Sequence, residues 1–265
     1  MADTRIHPTS VIAPGAEIGV GAEVGPFCVI GPEVVLHDGA VLKSHVVVSG
    51  QTEIGPGTVI FPFASIGEAP QDLKFRGERT RLVIGARNRI REHVTMNPGT
   101  EGGGGETRVG DDGLYMTGCH VAHDCQVGDR VVLVNHVALA GHVSIGDDVV
   151  VGGLSGVHQF VRIGQGAMIG ALSMVTADVI PFGLVQGPRA RLDGLNIIGL
   201  KRHGASRSEL SALRAMLAAL GHGPFREAAR GLAGQPDAGP RERAILDFIL
   251  GPSERSFLTP LGGAE

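Results

Sequence analysis

Tryptophan is absent from this 265-residue chain, tyrosine occurs once, and aromatic residues make up only 4% of it. A core built on large rings is therefore excluded, and small and branched aliphatic side chains must fill the interior. Three cysteines are too few for a disulfide framework. No apolar run approaches the ~18 residues that a membrane span needs. The N-terminal MADTRIHPTS lacks the basic-then-apolar pattern of a secretory signal, so a cytoplasmic protein without a membrane span is expected. The formal charge of −4 argues against a general nucleic-acid binder. Glycine, by contrast, is abundant: 42 residues, with 15 prolines beside them. Even so, 43% hydrophobic and 19% charged residues exclude a disordered chain.

A period of six runs along the sequence. Stepping in sixes from Ile6 gives Ile6, Ile12, Ile18, Val24, Ile30, Leu36, Leu42, Val48, Ile54, Ile60 and Ile66, all aliphatic. Stepping from Val109 gives Val109, Tyr115, Val121, Val127, Leu133, Leu139, Ile145, Val151, Val157, Ile163, Ile169 and Val175, all apolar. At 43% hydrophobic content, such an unbroken series arises by chance on the order of once in 10^8. Four residues after an anchor the side chain is small or β-branched, as at Ser10, Ala16, Ala22, Cys28, Val34, Ala40, Ser155, Ala167 and Ser173. One residue after an anchor, glycine recurs, as at Gly19, Gly25, Gly31, Gly128, Gly146 and Gly164. A period of six fits neither helix nor strand alone. It fits a short strand followed by a tight turn, and three such hexads close one triangular coil. Roughly ten coils stacked ~4.8 Å apart predict a prism about 50 Å long. Cys28, Cys119 and Cys125 all fall in the small-residue column and read as interior packing residues.

Two segments break the pattern. The expected anchors between Ile66 and Ile84 are Asp72 and Glu78, which predicts a loop near 68–82 carrying Gln71, Asp72, Lys74 and Arg76. Between Met96 and Val109 the register slips by one residue, predicting a second excursion near 97–108. Its Gly102–Gly105 run has no strand-to-helix context for a phosphate cradle and reads as a flexible surface excursion. The hexads stop near Pro181. Division into a prism over 1–188 and a small helical domain over 189–265 is expected. In the latter, Ser206 and Glu209 form a capping box before Leu210, Leu213, Leu217 and Leu220, and PFREAARGLA and RERAILDFIL supply two further helices. Arg189, Arg191, Lys201, Arg202 and His203 form a basic stretch, suited either to phosphates or an acidic partner or to a solvated helix face.

Coils of three hexads turn sequence spacing into proximity. His123 and Asp124 follow anchor Val121 by two and three places, and His142 follows Leu139 by three, so Asp124 and His142 occupy one position on adjacent coils. His120 leads into that corner, and His158 and Gln159 follow Val157 one coil further on. Asp124 is placed to orient the His123 ring, which makes His123 a candidate general base. The Gly141 backbone N–H is a candidate oxyanion donor. No serine or cysteine nucleophile stands at this corner, which favours direct acyl transfer to a bound acceptor. The rival readings are three imidazoles on zinc across a subunit interface, as in a carbonic-anhydrase-like enzyme, and a non-catalytic scaffold.

The strings GPFCVIGP, VLKSHVVVSG, FASIGEAPQDLKFRGE, RIREHVT, HVAHDCQVG, LAGHVSIG, VHQF and GLKR resemble the UDP-N-acetylglucosamine O-acyltransferases of the LpxA type, over essentially the whole chain. That resemblance implies a left-handed parallel β-helix, against the usual right-handed crossover, followed by a small α-helical domain. It also implies a homotrimer with sites between subunits and no cofactor or metal. The implied reaction is transfer of an R-3-hydroxyacyl chain from acyl carrier protein to the 3-hydroxyl of UDP-N-acetylglucosamine, the first step of lipid A synthesis. A 3-amino UDP-sugar is the alternative acceptor. By the same resemblance His123, Asp124 and Gly141 are catalytic. Gln71, Asp72 and Lys74, with the loop reaching a neighbouring subunit, His120, His142, His158, Gln159, Asn196 and Arg202 bind substrate, and the basic tail faces the carrier protein. Ile198, His203 and Pro98 depart from the family pattern, the first two at nucleotide contacts. Met168, Ala171 and Met174 fall in the acyl-chain ruler. The last two stand where long-chain relatives have glycine, so a medium chain of about 10–12 carbons is expected.

Overall fold

The computed structural model describes residues 3–221, 224–234 and 237–260. Short strands, mostly two residues long, alternate with turns from Arg5 to Val175. Every third strand pairs in parallel with the one a coil away. The first face runs from Arg5–Ile6 to Gly183–Gln186, the second from Val11–Ile12 to Met174–Val175, and the third from Glu17–Ile18 to Arg162–Ile163. Partners stand one whole coil of three hexads apart, as in Arg5 with Glu23 and His120 with Ala138. The result is a parallel β-helix.

The sequence pattern explains each part of the coil. In most two-residue strands the second residue is an aliphatic anchor that points inward: Ile30, Leu42, Ile60, Leu133 and Ile169 are all fully buried. The small column packs at the corners beside them, with Ala22, Cys28, Ala40, Cys125 and Ala167 inaccessible. Three residues after an anchor the backbone turns through the left-handed region. Non-glycine residues pay about 1–2 kcal/mol there, which the packed coil must offset. Three ladders of such residues mark the prism's three edges. One edge carries Phe27, His45, Phe63, His93, His136, Leu154 and Leu172; another carries Asp112, Arg130 and Asp148; the third carries Asp124, His142 and Phe160.

Both predicted excursions leave from that third edge, between the second and third faces. Across the first, Ser65 pairs with Thr95, 30 positions on, so twelve residues are added to one coil. Across the second, Thr95 pairs with His120, 25 positions on, so seven are added. Seven is one hexad plus one residue, which accounts for the slipped register. The two are tied together: the Asn97 side-chain amide donates to the Glu68 carbonyl at 2.9 Å.

The prism ends differently from expectation. The strand Gly183–Gln186 is followed by an antiparallel partner, Arg191–Leu195, that closes the first face. Then come α1 (Ile197–Arg202), α2 (Arg207–Leu220), α3 (Phe225–Ala233) and α4 (Pro240–Leu250). The first of these has no hexad or heptad signal. Ser206 caps α2 by accepting from the Glu209 N–H, but the Glu209 carboxylate takes Arg241 of α4 at 2.7 Å, so the reciprocal half of the capping box is exchanged for a helix–helix ion pair. The helices are fastened to the prism through Asp178. Its buried carboxylate accepts from the Arg162 backbone at 2.8 Å, the Arg162 guanidinium at 2.7 Å and the Ser253 hydroxyl at 2.6 Å.

Replacing one anchor removes contacts on the coils above and below together. Leu133→Ala is expected to lower unfolding stability by about 2–5 kcal/mol. The exposed Glu17→Ala should change it by less than about 0.5 kcal/mol. Urea denaturation of the two variants measures the difference.

Candidate active site

The third edge, just above the two excursions, gathers the titratable side chains. Asp124 and His142 stand one above the other in left-handed turns, with φ of 61° and 63°. Aspartate and histidine tolerate this region better than most residues. The Asp124 side chain is wholly buried, and that of His123 is 15% exposed. Asp124 Oδ2 faces His123 Nδ1 at 2.7 Å. The carboxylate can only accept there, so Nδ1 carries the proton and Nε2 is left as the acceptor.

The same carboxylate accepts from the Thr100 backbone N–H at 2.8 Å and the Thr100 hydroxyl at 2.6 Å. The Asp124 N–H donates to the Thr107 hydroxyl at 2.7 Å. The glycine-rich stretch read as a flexible surface excursion is thus folded over Asp124. Neither threonine is signalled by hexad spacing, because the added seven residues reset the count.

Gly141 lies against the His123 ring, one coil above it. A Cβ at 141 would fall on the imidazole, so only glycine permits this approach. Its N–H makes no hydrogen bond to the protein among the described residues. His142 meets His123 edge-on with ring centroids 5.1 Å apart, and stacks on Phe160 at 4.3 Å. Phe160 is one coil beyond His142 and is the true equivalent there. Spacing from the anchor identifies it, whereas His158 lies two places earlier in the same coil. His158 Nδ1 is 2.8 Å from the Arg255 guanidinium, which also donates to the Gln159 carbonyl at 3.0 Å. Arg255, near the chain end, has no sequence signal pointing here.

His120 sits beside Thr95, with Nδ1 and the hydroxyl 2.8 Å apart. Burial lowers its pKa, and the charge of His123 adds to the effect. Burial also lowers that of His142, partly opposed by Asp124. On the first excursion, Asp72 is held below the ordinary carboxylate range, first by the Lys74 N–H and then by the fields of His123, Lys74 and His142. Gln71 and Lys74 are exposed on the same loop.

Other expected residues lie apart from the pair. Asn196 uses both ends of its amide structurally, accepting from the Gly199 N–H at 2.9 Å and donating to the Gly166 carbonyl at 3.0 Å. It lines a cavity of about 270 Å³ with Arg130, Gln165 and His203. Arg202 is exposed at the end of α1. Met168 faces outward on the first face, Met174 on the second, with Ala171 at the edge between them. His123, Asp124 and His142 offer donor atoms within 4.8 Å of one another. The carboxylate is already turned to Thr100 and His123, and His142 is stacked, so the geometry is that of an imidazole–carboxylate pair rather than a metal centre.

A β-helix of aliphatic hexads with an oriented imidazole and a free backbone N–H on one edge defines a hexapeptide-repeat acyltransferase. Comparison with known proteins narrows the class. Residues 178–258 match the family described as UDP-N-acetylglucosamine O-acyltransferase, domain 2. The acyl-[acyl-carrier-protein]–UDP-N-acetylglucosamine O-acyltransferase of Caulobacter vibrioides is 53% identical over 257 residues, 96% of this chain and 98% of that protein. That of Paracoccus denitrificans is 73% identical over 202 residues, 76% and 77% of the two chains. The LpxA structure from Acinetobacter baumannii superposes with a TM-score of 0.93 at 41% identity, covering 96% of this chain and 99% of the other. The chain belongs to the acyl-[acyl-carrier-protein]–UDP-N-acetylglucosamine O-acyltransferase family.

The depressed histidines have a pH consequence. Between the unfolded value near 6.5 and their lowered native values, His120 and His142 bind protons in the unfolded chain but not in the folded one. Their contribution is intact above about pH 6.5 and is lost as pH falls through this window. His120→Gln should therefore show a shallower loss of stability from pH 7 to pH 5 than the parent protein, measured by urea unfolding at each pH.

Proposed function

We propose that this chain transfers an R-3-hydroxyacyl group from acyl carrier protein to the 3-hydroxyl of UDP-N-acetylglucosamine, the first step of lipid A synthesis. The observation that carries the reading is the 2.7 Å contact of His123 Nδ1 with a fully buried carboxylate, which leaves Nε2 free at the edge. Nε2 removes the proton from the sugar 3-hydroxyl as its oxygen attacks the thioester carbonyl carbon. The tetrahedral oxyanion is received by the Gly141 N–H. Collapse breaks the carbon–sulfur bond, and the departing thiolate takes the proton from imidazolium. Asp124 keeps the ring in one tautomer throughout. Asp72, Lys74 and Gln71 would hold the sugar and acyl groups; His120, His142, His158 and Gln159 line the cleft; and Asn196 and Arg202 lie toward the nucleotide.

The outward column His120, Ala138, Gly156, Met174 supports a medium chain. It is small between its ends and lies along the prism axis. Three strand spacings separate His120 from Met174, about 14 Å, the length of an extended chain of roughly 10–12 carbons. Met174, with Met168 and Ala171 nearby, would close this slot.

A homotrimer is supported by the edge bearing Phe27, Phe63, Leu154 and Leu172, all more than half exposed in a single chain. The second face beside it presents Val11, Val29, Val47, Ser65 and Thr95 outward, and Leu73 on the first excursion is 95% exposed. Apolar surface of this extent needs a covering partner. No helix among the described residues is long and apolar enough to cross a membrane, and a cytoplasmic location is the reading that fits the soluble carrier-protein donor.

Acyl transfer with UDP-N-acetylglucosamine and hydroxyacyl carrier proteins of graded length tests the proposal. His123→Ala should lower kcat by about 10²–10⁴-fold while sedimentation still reports a trimer. Retained transfer would overturn the base role. A donor of about 10 carbons should outcompete one of about 14, and the reverse order would contradict the slot.

A further inference from the structure

We infer that Thr100, and the glycine-rich excursion that carries it, is the positioning element of the acyl-transfer site, holding the Asp124 carboxylate so that it serves His123 and not His142. The inference rests on the base role given to His123.

The wholly buried carboxylate has few donors. Oδ1 receives the Thr100 N–H, and Oδ2 receives the Thr100 hydroxyl and His123 Nδ1. A buried charge lacking such partners is strongly unfavourable, and two of the three donors come from one residue of the excursion. The same excursion grips the backbone from its far end, where the Thr107 hydroxyl accepts the Asp124 N–H within the left-handed turn. Side chain and main chain of Asp124 are thus held by residues seven positions apart, on the two limbs of one loop.

The glycines identify the loop as fitted to this carboxylate. A side chain added at Gly103 would collide with the Asp124 carboxyl group, one at Gly99 would strike the Gly105–Glu106 backbone first and then Asp124 Oδ1, and neither residue has a positive φ. Close approach, not turn conformation, demands glycine there. Gly104 and Gly105 are the opposite case, with positive φ and open space around them. Within the four-glycine run, Gly103 thus belongs to the cover and Gly104 and Gly105 to the turn.

A choice between imidazoles gives the cover its purpose. His142 Nδ1 stands 3.8 Å from Asp124 Oδ2, against 2.7 Å for the His123 contact. A modest rotation of the carboxyl group would exchange one ring for the other. Thr100 holds both oxygens and opposes that rotation, so Nε2 of His123 stays the acceptor at the cleft. The residue acts through Asp124 and touches no reacting atom.

Thr100→Val removes the hydroxyl at near-constant volume. In the full-length trimer it should lower kcat about 10- to 100-fold, with the KM for UDP-N-acetylglucosamine changed less than about threefold. The low-field Nδ1 proton resonance of His123, assigned by its loss in His123→Asn, should shift or vanish. Thr100→Ser should restore both. If Thr100→Val is not recovered folded, Gly103→Ala, which presses on the carboxylate with Thr100 in place, takes its part and should lower kcat and shift the resonance alike. Unchanged kcat with an unmoved resonance, or lost activity with an unmoved resonance, would overturn the inference. His123→Ala in the same assay separates the two readings: if it keeps full transfer the base role itself fails, and if it loses transfer while Thr100→Val does not, only the positioning role fails.

Discussion

Parallel stacking at a pitch of three hexads is the constraint from which the remaining structure follows. Each aliphatic anchor is buried against the anchors one coil above and below, so register and core are specified by the same side chains. A slip of one position would turn Leu133, Leu139 and Ile145 outward together and bring their outward-facing neighbours in. The corners complete the device: small residues fill the crowded interior of each turn, while the position three beyond the anchor accepts left-handed backbone strain. Because that position recurs once per coil on each edge, side chains one coil apart stand on one another. His142 over Asp124, with Phe160 over His142, is this rule applied to chemistry.

Rigid coils alone would leave that chemistry exposed to water. Both excursions leave from the edge that carries the pair, in the two coils preceding it, and they serve it differently. The first brings Asp72 within the field of the imidazoles. The second excludes solvent from Asp124 and replaces it with fixed donors. Preorganised donors around a buried carboxylate cost nothing to reorient during the reaction, which is the physical advantage of a folded cover over bulk water. The Asn97 amide fastens the base of one excursion to the start of the other, so the first excursion and the carboxylate cover are parts of one assembly.

Much of this was legible in the order of residues. The hexad anchors specify the prism, and counting from them brings Asp124 to His142 and His123 to Gly141, since regular coils make sequence distance a measure of space. Legibility fails where the count is interrupted. Thr100 lies 24 residues before Asp124, more than one regular coil, because of the inserted loop, and nothing in the pattern says which way such a loop folds. Phe160, stacked on His142, occupies the position that counting from the anchor indicates one coil on. Arg255 meets His158 across 97 residues through the docking of a helical tail, a tertiary event without periodic signature. The antiparallel strand Arg191–Leu195 and the short α1 were likewise hidden, being shaped by packing on the last coil.

The central claim is that His123 Nε2 is the atom presented to the acceptor sugar, with Nδ1 committed to Asp124. A crystal structure of the protein with UDP-N-acetylglucosamine bound measures this directly. The expected result is a glucosamine 3-hydroxyl within about 2.6–3.2 Å of His123 Nε2, with the Gly141 N–H facing the space beside it. A sugar bound with that hydroxyl beyond reach of His123, or with His142 as its hydrogen-bond partner instead, would contradict it.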